Sequence, residues 1–149
     1  MVTFENDHDR ISFEFGAVAR LLAFTNLRTL DLGSFEAQVI PPLRLRQRII
    51  LFNKRQLPIA YASWAYVTEA VAAELTHSQA RPLHLSEWNE GTILWLVDFV
   101  APEGRAIGLA RELRERLAGS HAFVHSVRYD RSLYRPVRVR LSERSRDCR

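Results

Sequence analysis

The chain has 149 residues, 47% of them apolar and 26% charged, with a formal charge of +4. That is globular composition, with no apolar run near the roughly 20 residues of a membrane helix. It predicts one compact domain over residues 1–141, no integral membrane association, and a partner of opposite charge: nucleic acid, an anionic surface, a phosphate-bearing cofactor or an acidic carrier protein. The single cysteine, Cys148, excludes an internal disulfide and a cysteine-based metal site. The acidic opening Met1-Val2-Thr3-Phe4-Glu5-Asn6-Asp7 does not read as a secretory signal, and the expected location is cytoplasmic.

Residues 11–24 carry Phe15, Val18, Leu21 and Leu22 at helical spacing. Residues 34–40 read as a second short helix stopped by Pro41-Pro42, because proline lacks an N–H and disfavours helical backbone in the residue before it. Residues 46–52 and 58–64 predict an antiparallel hairpin around Asn53-Lys54-Arg55-Gln56. A helix over 68–75, a polar loop with Pro82, a strand over 92–101 and a helix over 105–117 follow. In that last helix Ala106, Leu109, Ala110, Leu113 and Leu117 form one apolar stripe, with Gly119 as a stop signal. Strands over 122–129 and 136–141 come next, and the polar, basic tail 142–149 is expected to be disordered. This order predicts an α+β fold, an α/β sandwich with a mixed sheet.

Arg44, Arg46 and Arg48 recur with period two, as do Arg138 and Arg140, so each set predicts a strand with one cationic face. Such a face is either solvated or a surface that steers an acidic carrier or grips a cofactor phosphate, with Arg128 a further candidate. Aromatic residues do not interleave with these arginines as a base-stacking platform requires, so no nucleic-acid partner is expected.

The chemistry centres on Asp98, which lies inside the apolar run Leu94-Trp95-Leu96-Val97-Asp98-Phe99-Val100-Ala101. A carboxylate in an apolar strand is either paired or working. Ser63 lacks a nucleophile elbow and reads as packing. His8, His77, His84, His121 and His125 show no metal or nucleophile spacing, and no metal site is expected; His84, near Trp88, is the best placed of the five to act as a base. Trp64, Trp88 and Trp95 either fill the core or line an apolar groove.

Arg105-Ala106-Ile107-Gly108-Leu109-Ala110 fits the Arg/Gln-x-x-Gly-x-Gly/Ala pattern and resembles the pantetheine-phosphate loop of the GNAT acyltransferases. With Gly104 and Arg128 it supplies the candidate cofactor contacts Gly104, Arg105, Gly108 and Arg128; the alternative is an ordinary helix start whose small residues pack on a sheet. Three blocks, Pro58-Ile59-Ala60-Tyr61-Ala62-Ser63-Trp64-Ala65, Glu87-Trp88-Asn89-Glu90-Gly91 and 94–104, resemble in order and spacing those of the RTX toxin-activating lysine acyltransferases, over residues 15–129. The resemblance implies a GNAT-like, mostly antiparallel sheet flanked by helices and a homodimer. It also implies transfer of a fatty acyl group from acyl carrier protein to a lysine of a protoxin, with no permanently bound cofactor. The donor is then the carrier's acyl-phosphopantetheine, with acyl-CoA as the alternative.

In that family a His near the first helix and an Asp on the central strand carry catalysis. The Asp matches Asp98. The His position falls on Arg28, and the Ser three residues before it on Thr25. Arginine stays protonated and cannot act as a base, which leaves three readings: Asp98 with a raised pKa takes the proton itself; Arg28 pairs with Asp98 or holds an anion; or the chain retains only binding. Two further hypotheses stand beside a carrier-dependent N-acyltransferase, namely a non-catalytic binder of carrier or toxin and a CoA-dependent enzyme acting on a small amine.

Overall fold

A computed structural model describes residues 2–77, 81–130 and 133–141, apart from the side chains of 129 and 130. In chain order these form α1 (Asp7–Leu22), a 3-10 turn (Asn26–Thr29), α2 (Leu32–Arg44), β1 (Arg48–Phe52), β2 (Pro58–Val67), α3 (Glu69–His77), a second 3-10 turn (Leu85–Trp88), β3 (Ile93–Val100), α4 (Ala106–Leu117), β4 (Phe123–Asp130) and β5 (Leu133–Arg140). The fold is α+β. Its five-stranded sheet follows sequence order, antiparallel throughout except that β3 and β4 run parallel. The predicted tail and Cys148 lie outside the described residues.

α1 starts at Asp7, earlier than the apolar spacing suggested, because the Asn6 side chain accepts from the Asp9 N–H at 2.9 Å and Asp7 and Asp9 complement the helix N-terminus. α2 overturns the expected stop. Capped by Asp31, which accepts from Ser34 N–H, it continues through both prolines to Arg44. Pro41, Pro42 and Leu43 are buried, and the proline carbonyls still accept from Leu45 and Gln47 N–H; tertiary packing therefore outweighs the two missing donors. The predicted cationic strand at 44–48 is lost with it. Arg44 belongs to α2 and Arg46 adopts φ 58°, leaving only Arg48 on β1. β5 begins at Leu133, before Pro136, a residue tolerated because β5 is a sheet edge.

One core layer joins α4 (Leu109, Leu113, Leu117) to Ala60, Ala62, Trp64 and Leu94. On the opposite face α1 and α2 pack Val18, Leu21, Phe35, Val39 and Leu43 over Tyr61, and α3 packs Val71 and Leu75 with Trp88 and Trp95. An ionic clamp ties the second layer together. Arg10, 7% exposed, donates to Glu14 at 2.8 Å and to the Leu43 carbonyl at 3.1 Å, while Arg48 donates to both Glu14 oxygens. Removing the shared acid takes the carboxylate from Arg48 and leaves Arg10 only the exposed Asp7, at 3.1 Å. Glu14→Ala is expected to destabilise the fold by about 3 kcal/mol, measured by chemical denaturation.

Candidate active site

Asp98 sits near the end of β3, and a β-bulge decides where it points. Consecutive β2 residues Ser63 and Trp64 stand opposite Asp98 and Leu96, so Val97 is an extra residue on β3. Leu94 and Leu96 pack on the α4 side, Trp95 and Val97 on the other. The bulge turns Asp98 to the same side as Val97, toward α2.

There the carboxylate is 6% exposed and both oxygens are held: Gln38 Nε2 donates to Oδ1 at 2.8 Å and Ser63 Oγ to Oδ2 at 2.8 Å. Burial pushes the Asp98 pKa above its ordinary value, against the two hydrogen bonds, which favour the charged form. Burial, and after it the same carboxylate, drives the pKa of the neighbouring Tyr61 hydroxyl upward. Ser63 therefore does more than the packing expected of it, and Gln38 was not singled out at all. The only trace of either in the sequence is a polar residue in an apolar stretch.

Asp98 opens into a cavity of about 440 Å3 walled by Leu27, Leu30, Pro82, Leu83, Trp88, Trp95 and Val97, with Gln38 and Arg81. Asp98 and Arg81 are its titratable lining groups. Arg81 is fixed by Glu87 through two bonds of 2.7 and 2.8 Å and by Glu74 at 2.8 Å, which raise its pKa. In return, Arg81 holds Glu87 down at about 2. A depressed acid stabilises the fold above its unfolded pKa and loses that contribution as pH falls toward 2. Glu87→Gln is accordingly expected to flatten the acid limb of stability against pH, read from melting temperatures at stepped pH.

The other expected site residues are dispersed. Arg28 is exposed on the 3-10 turn and does not pair with Asp98; that turn presents Leu27 and Leu30 to the cavity instead. Thr25 caps the turn, donating to the Leu22 carbonyl at 2.8 Å and accepting from Leu27 N–H at 3.1 Å. His84 lines a neighbouring groove along α2, outside the Asp98 cavity. Trp88 and Trp95 line the cavity, whereas Trp64 fills the core across the sheet. Phe99, the next residue along β3, is turned to the α4 side and is 39% exposed. His125 is half-buried on β4, its pKa lowered by burial and by Arg138. No metal-binding cluster occurs among the described residues.

A second cavity, about 490 Å3, lies on the α4 face where β3 and β4 pair at one register position, Trp95 opposite His125. Val97 borders both cavities. Arg114 and Arg128 line this second one. Arg105 and Gly108 are exposed at the start of α4, and a Cβ built on Gly108 meets open space, so the close packing on a strand considered for that glycine does not occur. Gly104 turns the chain into α4 with φ +77°. Arg138 lies 3.7 Å over the Phe123 ring.

An α+β sandwich whose bulged central strand offers a held, buried carboxylate to an apolar cavity has the makings of a proton-transfer site. The chain belongs to the RTX toxin acyltransferase family, HlyC, whose family model matches residues 10–142. It is similar to protein-lysine myristoyltransferase RtxC of Kingella kingae, 29% identical over 103 residues, covering 68% of this chain and 60% of that protein. RTX-II toxin-activating lysine-acyltransferase ApxIIC of Actinobacillus pleuropneumoniae is 33% identical over 102 residues, 68% of this chain and 62% of the relative. Protein-lysine palmitoyltransferase CyaC of Bordetella bronchiseptica is 36% identical over 83 residues, 55% of this chain and 42% of the relative. The match thus spans between 42% and 62% of these relatives' lengths. No helix is long and apolar enough to cross a membrane among the described residues.

Proposed function

We propose that this chain is an N-acyltransferase that moves a fatty acyl group from the phosphopantetheine thioester of acyl carrier protein to an amine, a polypeptide lysine above all. The observation that carries the reading is Asp98, buried, held at both oxygens and facing an apolar cavity. The amine nitrogen attacks the thioester carbonyl carbon, the C–N bond forms, and the C–S bond breaks as the thiolate leaves. Asp98 takes the proton that the nitrogen sheds and later returns it to the sulfur, a role suited to a carboxylate whose pKa burial has raised. Gln38 and Ser63 aim the carboxylate.

Family membership and the second cavity support the donor side of this reading, which is GNAT-like. Where β3 and β4 part, backbone groups suit the amides of a pantetheine arm, and Arg114 and Arg128 suit its phosphate. The test is incubation with acyl carrier protein charged with a long acyl chain and a set of lysine peptides, followed by mass spectrometry of the peptides, with acyl-CoA as the comparison donor. Acylated peptide is expected. Carrier binding without any transfer would favour a non-catalytic binder, the reading that exposed Arg28 at the expected His position supports.

A further inference from the structure

We infer that the cavity beside Asp98 is the seat of the fatty acyl chain and gauges its length, with Leu30 and Leu83 forming part of the wall that the chain meets. This rests on the acyl-transfer reading and extends it to a binding site. The cavity falls in the size range of small-ligand sites, about 300–1,000 Å3, and apart from Asp98, Gln38 and Arg81 its lining is apolar. A pantetheine arm would bring two amides, yet Gln38 donates to Asp98 and Arg81 to Glu74 and Glu87, leaving little to satisfy them. A lysine stem is too short to fill the space. An alkyl chain needs only apolar surface. Its route from the α4 side passes Val97, which borders both cavities.

The experiment measures binding of saturated acyl-pantetheines of increasing length to the whole chain. Affinity is expected to rise up to about fourfold per methylene until the wall is met, then to fall. Leu30→Ala and Leu83→Ala should move the optimum to longer chains, and Leu30→Trp to shorter ones. A bromine at the far end of the chain should quench tryptophan fluorescence, and the quench should persist in Trp64→Phe, whose missing indole belongs to the opposite face. A flat length dependence, an optimum unmoved in variants that melt like wild type, or a quench lost with Trp64 would overturn the inference. Because the readout needs no turnover, transfer with a flat gauge sinks this inference alone, and a working gauge without transfer sinks only the catalytic reading.

Discussion

Asp98→Asn is expected to lower the rate of acyl transfer by about 10²- to 10⁴-fold, the usual contribution of a positioned general base, with donor binding nearly unchanged because the acid touches the reacting nitrogen and not the carrier. Steady-state kinetics with saturating carrier thioester separates the two. In the wild type the rate should rise with pH as Asp98 ionises, along a limb displaced above the ordinary carboxylate range by burial. Gln38→Ala should shift that limb further upward, since one of the bonds favouring the charged form is lost. Stability carries the opposite sign. An acid with a raised pKa contributes fully below its unfolded value, and the contribution is lost as pH rises through its folded value. Asparagine has no proton to lose, so Asp98→Asn should gain on the wild type in melting temperature across that window. A variant with unchanged rate and an unshifted pH profile would remove Asp98 from the mechanism.

Gly91→Ala is the most damaging single methyl group expected on stability. A Cβ there would stand 2.0 Å from both the carbonyl carbon and oxygen of Val67 and 2.3 Å from the Thr68 nitrogen, all backbone atoms. Nothing flexible can yield. Gly91 and Glu90 N–H both donate to the Tyr66 carbonyl, pinning the segment after Trp88 to the end of β2, so relief of the clash must pull Trp88 from its buried place in the cavity wall. The expected loss is about 4 kcal/mol or more, beyond ordinary overpacking. Equilibrium denaturation measures it, and a loss below about 1 kcal/mol would mean that the crossing of Gly91 over β2 is wrong.

The order of helices and strands was legible in the sequence because apolar periodicity reports which faces are buried. α4 shows this best, its stripe of Leu109, Leu113 and Leu117 lying in the core. Alternation failed as a guide around Arg44, Arg46 and Arg48, where period two came from a helix end, a left-handed turn residue and a strand start rather than from one strand. Proline as a helix stop failed at Pro41-Pro42 because local propensity could not weigh the packing of α2 against the sheet. Asp98 itself could be singled out from composition alone, since one acid in an apolar strand stands out. Its partners could not, for Gln38 lies sixty residues away and meets it only in three dimensions.

By itself the sequence determined the α+β class, the family blocks and the acid on the central strand, all properties of residue type and spacing along the chain. Only the tertiary structure decided which side of the sheet that acid serves. Strict alternation would set Asp98 with Leu94 and Leu96 against α4; the one extra residue, Val97, turns it over to Gln38, Ser63 and the apolar cavity. A bulge arises from how two strands pair, and pairing is a relation between segments that neither segment carries alone.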